Sequence, residues 1–445
     1  MKKLFEPIDN APLIVFRMLF GLLLAAEAWG AIATGWLSYT FVKPSFTFHH
    51  IGFGWYQGLL GPTMYGYYAL MGLLGILVML GYRYRWSLGG YTLLWAGAFL
   101  MQKESYNNHY YLLLLICIIM LLMPAHQYFS IDAKRNPGIK SLTMPRWVSL
   151  VMITQMSIVY FYATVAKFYP DWLDGTFTGL LFSPMRNAPL IGGVLAEKWF
   201  HLFIAYSGIA FDGLIIPALL WKRTRTIAVI ASLIFHLFNS ATLKIGIFPY
   251  FALSFVVFFY EPETIRRLFL KKKPALVVEN LKPNTYGNSW LLYFFIPYFV
   301  IQLLLPLRHW TIPGDVLWTE EGHRLSWRMM LRQRSGYVNF KVVEKGSSDT
   351  IHYPYHDKMN SKQLRMVSAY PDAIWQYAQK IKQEYENEGK EVEIYIDAFA
   401  RTNKSEYKRL IDPKTDFTQA RWNYFFHNDW ILIYDREGNP VDKTR

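Results

Sequence analysis

The chain has 445 residues, of which 53% are hydrophobic and only 18% are charged, and its net charge is +14. So few charged residues cannot cover a soluble protein of this size, and the apolar content excludes an intrinsically disordered chain. The excess of Lys and Arg lies in the apolar N-terminal two thirds. Basic loops beside membrane spans are the ordinary cause of such an excess, so we expect no nucleic-acid partner.

Residues 1–307 predict an all-α transmembrane bundle, because a span needs about 20 mostly apolar residues. Nine segments approach that length, near 13–33, 64–82, 86–102, 108–123, 147–167, 201–221, 226–240, 245–260 and 289–307. Asn239, Ser240 and Lys244 interrupt the seventh and eighth segments, so eight crossings are the alternative. Lys and Arg concentrate in alternate loops such as 83–85 and 134–146. This pattern predicts a cytoplasmic N-terminus and an extracytoplasmic C-terminal domain.

Residues 308–445 predict a small extramembrane α+β domain. Its predicted elements are paired strands at 337–345 and 349–356 around Gly346-Ser347-Ser348, a helix at 371–386, a strand at 391–399, and a strand at 429–435 that enters the turn Glu437-Gly438-Asn439. Ile374, Tyr377 and Ile381 fall on one face of the predicted helix, which indicates the side that packs against the strands.

Polar side chains within membrane spans are costly and therefore mark candidate sites. Lys167 follows an apolar helix near the predicted outer membrane face. It is either an interfacial lysine that reaches water or a desolvated amine able to act as a base. His236, Asn239 and Ser240 share one face of a helix at i, i+3 and i+4. That face either makes interhelical hydrogen bonds or belongs to a site.

Asn107, Asn108 and His109 begin the fourth span at the depth predicted for Lys167. Three polar clusters therefore converge on one membrane face beside the soluble domain, which favours a site there. At the opposite face, Arg17 is expected to extend to the lipid headgroups. The sequence contains no HExxH, CxxC, P-loop or GxGxxG motif, so we expect no metal site.

Several strings resemble vitamin K-dependent gamma-carboxylases. They are KFYPDWLDG, FHLFNS with IGIFPY, NNHYYL, MPAHQYFSID, TEEGHRLSWRMML and IYIDAFARTNKSEYKRLIDPKTD. Together they cover nearly the whole chain in the order of that family. The membrane portion by itself resembles the wider horizontally transferred transmembrane (HTTM) domain family, whose members need not be carboxylases.

The resemblance implies a membrane enzyme that couples oxygenation of a reduced naphthoquinone, menaquinol or phylloquinol, to carboxylation of peptidyl glutamate. Oxygen and carbon dioxide would be co-substrates, and the products would be a quinone 2,3-epoxide and gamma-carboxyglutamate. Lys167 would be the neutral amine that deprotonates the hydroquinone. The implied site residues are catalytic Lys167, His236 and His126, quinone-binding Tyr160, Trp172, Asn239, Asn108 and His109, and glutamate-binding Arg334 and Arg409.

The sequence departs from the family pattern near residue 127. A histidine is expected immediately before the tyrosine Tyr128, but Gln127 stands there and His126 comes one residue earlier. One residue rotates a helical side chain by about 100°. A quinol epoxidase without glutamate carboxylation is therefore an alternative, as is a non-catalytic membrane protein with a partner-binding outer domain. The cysteine pair of animal enzymes is absent from the sequence, which favours a bacterial-type protein of the cytoplasmic membrane.

Overall fold

The computed structural model describes residues 2–189, 191–243, 246–276, 289–346, 349–435 and 438–441. Long apolar helices form the N-terminal part, where a large hydrophobic core surrounds the first helix. The helices are α1 (Ala11–Ala33), α2 (Thr63–Leu80), α3 (Tyr84–Met101), α4 (Asn108–Leu122), α5 (Ile131–Arg135), α6 (Trp147–Val165), α7 (Pro170–Leu173), α8 (Thr176–Phe182), α9 (Gly192–Ala196), α10 (Lys198–Leu220), α11 (Arg225–Leu243), α12 (Phe248–Ser254), α13 (Pro262–Phe269) and α14 (Ser289–Leu304).

The number of membrane-crossing helices differs from the prediction. Among the described residues, α1, α2, α6, α10 and α11 are long and apolar enough to span a bilayer. The prediction of nine or eight spans is therefore not confirmed. The fourth span is a helix of only 15 residues, and the eighth is α12 followed by a short 3-10 helix, so both are shorter than the roughly 20 residues that a crossing requires. Lys244, which we expected to interrupt this region, lies outside the described residues.

Close contact between α1 and α2 holds the start of the bundle together. A Cβ added to Gly75 of α2 would lie 2.6 Å from the backbone nitrogen of Ala25, and one added to Gly21 of α1 would lie 2.3 Å from that of Met79. Only glycine permits such an approach of two helix backbones, which is a common way for membrane helices to pack.

The C-terminal part contains a four-stranded antiparallel sheet of order β4-β3-β5-β6, covered on one face by helices. Its elements are α15 (Val316–Thr319), β3 (Arg334–Glu344), β4 (Thr350–His352), α16 (Ser361–Val367), α17 (Pro371–Asn387), β5 (Val392–Thr402) and β6 (Lys408–Arg409); two further strands, β1 (Pro7–Asp9) and β2 (Thr143–Pro145), pair beside the bundle. The register of β3 and β5 runs from Arg334 opposite Thr402 to Glu344 opposite Val392.

The predicted small α+β domain is confirmed in most of its elements. The paired strands form β3 and β4, the helix forms α17 with Ile374, Tyr377 and Ile381 buried, and the next strand forms β5. The prediction of a strand at 429–435 is wrong, because that segment makes only isolated bridges to its neighbours. Ser347, Ser348 and Glu437 of the predicted turns lie outside the described residues.

The C-terminal domain packs on loops at one end of the bundle. Phe48, from the loop between α1 and α2, is 1% exposed and packs in the core of the C-terminal domain beside Tyr377. Gln363 of α16 donates to the carbonyl of Phe46 at 2.7 Å. These contacts attach the loop between α1 and α2 to the C-terminal domain.

Candidate active site

Lys167 is a buried amine paired with a carboxylate. Pro170 begins α7, so α6 ends at Val165 and Lys167 lies in the turn between the two helices. Its Nζ pairs with the carboxylate of Asp212 on α10 and donates to the carbonyl of Ala163 at 3.1 Å. The lysine and aspartate side chains are 10% and 8% exposed. Lys167 is therefore not an interfacial lysine that reaches water.

A second group of polar side chains lies on α6, α11 and α4. The Tyr160 hydroxyl is 3.2 Å from Nε2 of His236, whose ring packs edge-on against Phe248. The ring of His109 stacks on the same Phe248 at 3.6 Å between centroids. Among the described residues, Nδ1 of His236 and Nδ1 of His109 are buried without a hydrogen-bond partner. Such atoms are costly to bury, so we expect them to meet a ligand or water.

The ring of Phe211 joins these two groups. Phe211 precedes Asp212 in the chain, and its ring lies 6.1 Å from that of Tyr160 and 5.8 Å from that of His236. On the other side, Nζ of Lys167 lies 5.3 Å from the ring of Trp172. Aromatic walls with a few convergent polar groups are typical of small-molecule sites. The arrangement can therefore hold a flat apolar ligand beside a buried amine and its carboxylate partner.

The other predicted quinone-binding residues, Asn108 and Asn239, lie close to this cluster in the chain and on the helices. Asn108 donates to the carbonyl of Arg328 at 3.0 Å and accepts from the Tyr106 hydroxyl at 3.1 Å. Asn239 is half-buried on α11, one turn beyond His236. Trp172 donates from Nε1 to the carbonyl of Ala205 at 3.0 Å, which fixes its ring beside Lys167.

A cavity of about 530 Å³ lies between the start of α4 and the C-terminal domain. Asn108 and His109 line it, so it adjoins the aromatic cluster. Its lining is rich in cationic side chains, which are Lys103, Arg324, Arg328, Arg332, Arg334, Lys362 and Arg365. Glu104 is the one acidic residue among the lining residues that the structure describes. This composition favours an anionic ligand, since carboxylates bind well to arginine and lysine donors.

Two arginines in the cavity wall differ in how many of their hydrogen-bond donors other protein groups already use. Arg332 pairs with Glu320 and donates to Nε2 of His323 at 2.6 Å. Burial, together with Arg332 and Arg328, holds the pKa of His323 well below its usual range, so this imidazole is neutral and accepts that bond. Arg328 lies 3.3 Å from Nε2 of His309, and its Nε has no hydrogen-bond partner among the described residues. Arg328 therefore retains donor capacity for a ligand.

The structure does not support the predicted glutamate-binding roles of Arg334 and Arg409. The side chain of Arg334 is fully buried and donates to the carbonyls of Leu317, Trp318 and Ala369 at 2.6–3.0 Å. Its donors are consumed by the fold. Arg409 pairs with Asp397 at 2.8 Å on the neighbouring strand and does not line the cavity.

His126 lies far from Lys167. Its ring stacks on Tyr84 at 5.4 Å, just beyond the end of α4. His109 is at the other end of that 15-residue helix, and at 1.5 Å per residue the helix is about 22 Å long. The prediction that His126 joins the catalytic group is therefore corrected. His236 and His109 are the histidines that the fold brings to the lysine side.

Sequence reasoning missed two features of the site. The pairing of Asp212 with Lys167 was not predicted, because it depends on the packing of α10 against α6. The cationic cavity was missed too, although the segment from Thr319 to Arg334 contains arginines at 324, 328 and 332. The density of arginines in this short segment was the available signal, but the segment is not helical, so the spacing of four does not by itself place them on one side.

The architecture is that of a membrane protein whose apolar helical part carries a small α+β domain and contains a buried lysine. Two family models match the chain. The HTTM domain covers residues 5–263, and the lumenal domain of vitamin K-dependent gamma-carboxylase covers residues 287–437. No solved structure matches the chain. The chain belongs to the vitamin K-dependent gamma-carboxylase family.

Proposed function

We propose that this protein couples the oxygenation of a reduced naphthoquinone to the carboxylation of glutamate in a peptide or protein substrate. The observation that carries the proposal is the position of Lys167. It is a buried amine beside Asp212 and Trp172, next to an aromatic cluster that adjoins a cationic cavity. Menaquinol or phylloquinol, oxygen and carbon dioxide would be the small-molecule substrates.

The residues present fit a reduced naphthoquinone. The rings of Phe211 and Phe248 offer flat apolar contact, and Nδ1 of His236 and Nδ1 of His109 are buried polar atoms that a hydroquinone oxygen can satisfy. Tyr160, Trp172, Asn239 and Asn108 complete the proposed binding residues. When bound, the hydroquinone supplies with oxygen the strong base that a glutamate γ-hydrogen requires.

Lys167 acts in this proposal as the proton acceptor. An amine works as a base only when it is neutral, and Asp212 beside it can take up the proton that leaves the lysine. Burial of the pair keeps water from competing with the hydroquinone hydroxyl for that exchange. Asp212 also positions Nζ, because its carboxylate accepts a hydrogen bond from the lysine.

The glutamate carboxylate binds in the cationic cavity. Arg328 has a free donor there, and Lys362 reaches the same wall, where its Nζ donates to Ser105 at 2.6 Å. Because His109 belongs to the aromatic cluster and also lines the cavity, a peptide bound at the domain reaches the hydroquinone site without crossing the bilayer.

The proposed orientation of the protein in the membrane follows from the positions of the aromatic cluster and the cationic cavity. The quinone tail lies in the lipid bilayer, and the peptide arrives from the extracytoplasmic side, with the N-terminus of the chain in the cytoplasm of a bacterium. Residues 1–307 would form the membrane domain and residues 308–445 the extracytoplasmic domain. The second family match begins at residue 287 and so includes α14, which packs in the bundle through a 2.6 Å hydrogen bond from Tyr298 to Gln155.

The test uses purified protein in nanodiscs with reduced vitamin K, oxygen, labelled bicarbonate and a short glutamate peptide. Wild type, Lys167→Ala and the control Lys198→Ala are compared, since Lys198 is an exposed lysine of the same end of the bundle. We expect epoxide and labelled peptide from wild type and Lys198→Ala, and a loss of both products of at least a hundredfold in Lys167→Ala.

Two outcomes would overturn the proposal. Epoxide that depends on Lys167, without label in any glutamate peptide, would identify a quinol epoxidase. Equal epoxide formation by wild type and Lys167→Ala would remove the lysine from the chemistry.

A further inference from the structure

A second cavity, of about 520 Å³, lies at the end of the bundle opposite the C-terminal domain. It opens between the first two helices and the segment that follows α4. One side of it is apolar and is formed by Met18 of α1 with Met79 and Leu80 of α2. The other side carries Lys134 and Lys140. This cavity has no part in the proposed reaction.

Arg17 lines the floor of this cavity. The prediction for its side chain is wrong. We expected it to extend to the headgroups, but the residue is 1% exposed. It donates to the carbonyl of Ala125 at 3.0 Å and to that of Phe129 at 2.6 Å. Its Nε is buried and has no hydrogen-bond partner in the described part of the chain. A buried guanidinium with an unused donor and no paired carboxylate invites an anion.

The charged residues that line the cavity are all cationic. Lys134 and Lys140 are exposed, and the described lining residues include no Asp or Glu. Asp132 lies nearby, but its carboxylate accepts from the backbone N–H of Arg83 at 2.7 Å and of Tyr84 at 2.9 Å, and thereby closes the turn between α2 and α3. Among the described residues, none of the three cations Arg17, Lys134 and Lys140 forms an ion pair with a carboxylate, so each can still bind an anion.

The apolar side decides what kind of anion fits. Met18, Met79 and Leu80 belong to helices long enough to span a bilayer, at the point where α2 ends. Phe129, which follows at the rim, has a positive φ of 46° and a ring that is 58% exposed. A soluble phosphate would leave this apolar surface uncovered, whereas the acyl chains of a lipid would cover it.

We propose that this cavity binds the headgroup of an anionic phospholipid. The phosphodiester meets Lys134, Lys140 and Nε of Arg17, and the acyl chains lie against Met18, Met79 and Leu80. Clusters of basic residues beside a membrane helix are suited to this ligand, because each lysine near the surface strengthens the binding of acidic lipid several-fold.

The experiment is native mass spectrometry of the full chain in detergent, with phosphatidylglycerol or phosphatidylcholine of identical acyl chains added in equal amounts. The variant Lys134→Gln/Lys140→Gln is compared with the control Lys271→Gln/Lys272→Gln. All four lysines are exposed, and only the first two line the cavity. Both variants lose the same charge, so a diffuse electrostatic effect would change them equally.

We expect wild type and the control to retain phosphatidylglycerol in preference to phosphatidylcholine. The Lys134→Gln/Lys140→Gln variant should bind phosphatidylglycerol about tenfold or more weakly. Each single variant should show a part of that loss.

Three results would overturn the proposal: no preference between the two lipids, an equal loss in both double variants, or displacement of the lipid by millimolar inorganic phosphate or glycerol phosphate. The last result would identify the ligand as a free phosphate.

Discussion

An ion-pair cluster fastens the C-terminal domain to the bundle. Asp372, in the first turn of α17, accepts hydrogen bonds from Lys103, in the loop before α4, and from Arg324 at 2.7 Å. The side chains of Lys103 and Asp372 are each 3% exposed. Burial favours the protonated carboxyl, but Arg324 and Lys103 outweigh it and hold the pKa of Asp372 far below its usual range.

Replacement of this carboxylate is expected to destabilise the protein strongly. Asp372→Asn leaves the Lys103 ammonium buried without its countercharge, and breaking a buried pair in this way costs about 3–5 kcal/mol. The exposed pair of Lys345 and Glu391, 3.0 Å apart with side chains 56% and 78% exposed, provides the control. Because solvent screens that pair, Glu391→Gln should change the free energy of unfolding by less than about 1 kcal/mol.

The assay is denaturant unfolding in nanodiscs, followed by tryptophan fluorescence. A double variant separates pairing from side-chain size. Lys103→Met/Asp372→Asn removes Lys103, the more deeply buried of the two cations that Asp372→Asn strands, so it should be more stable than Asp372→Asn alone. If Asp372→Asn costs no more than Glu391→Gln, or if the double variant is the least stable of the set, the reasoning about the buried pair is wrong.

Two further predictions concern pH and helix packing. Burial raises the pKa of Glu104 to about 7 from 4.5, so its contribution to stability is complete below about pH 4.5 and is lost as the pH rises through 7. Glu104→Gln should therefore flatten the fall in melting temperature between pH 5 and pH 8, and an unchanged slope would contradict the assignment. Gly75→Ala should destabilise the bundle by about 1–3 kcal/mol, because its Cβ would lie 2.6 Å from the backbone of Ala25. Gly30→Ala, whose Cβ meets nothing within 4 Å, should leave the melting temperature unchanged or raise it, and equal losses would contradict the packing argument.

The local elements of the C-terminal domain could be predicted because each depends on nearby residues. Ile374, Tyr377 and Ile381 recur at the spacing of one helix face, and the alternating residues of β5 place Ile394 and Ile396 on the buried side of the sheet. The strand predicted at 429–435 is a continuous apolar run from Trp430 to Tyr434, and among the described residues it makes only isolated bridges instead of pairing with a neighbouring strand. Its failure shows that a strand requires a partner as well as a pattern.

The sequence by itself determined that the protein is a membrane protein with a small C-terminal α+β domain, because apolar length, charge density and local patterning are properties of the chain alone. It also singled out Lys167, His236 and His109 through their costly positions in apolar helices. These inferences use only local spacing and composition.

The tertiary structure alone decided which residues these side chains contact. Asp212 lies 45 residues beyond Lys167, and Arg334 finds its carbonyl acceptors 16 to 35 residues away. His126 stacks on Tyr84 and lies at the opposite end of α4 from His109. A helical pattern states which residues share a face, but the neighbour of that face is fixed only when distant helices pack together. For this reason the amine could be predicted, whereas its carboxylate partner and the cationic cavity could not.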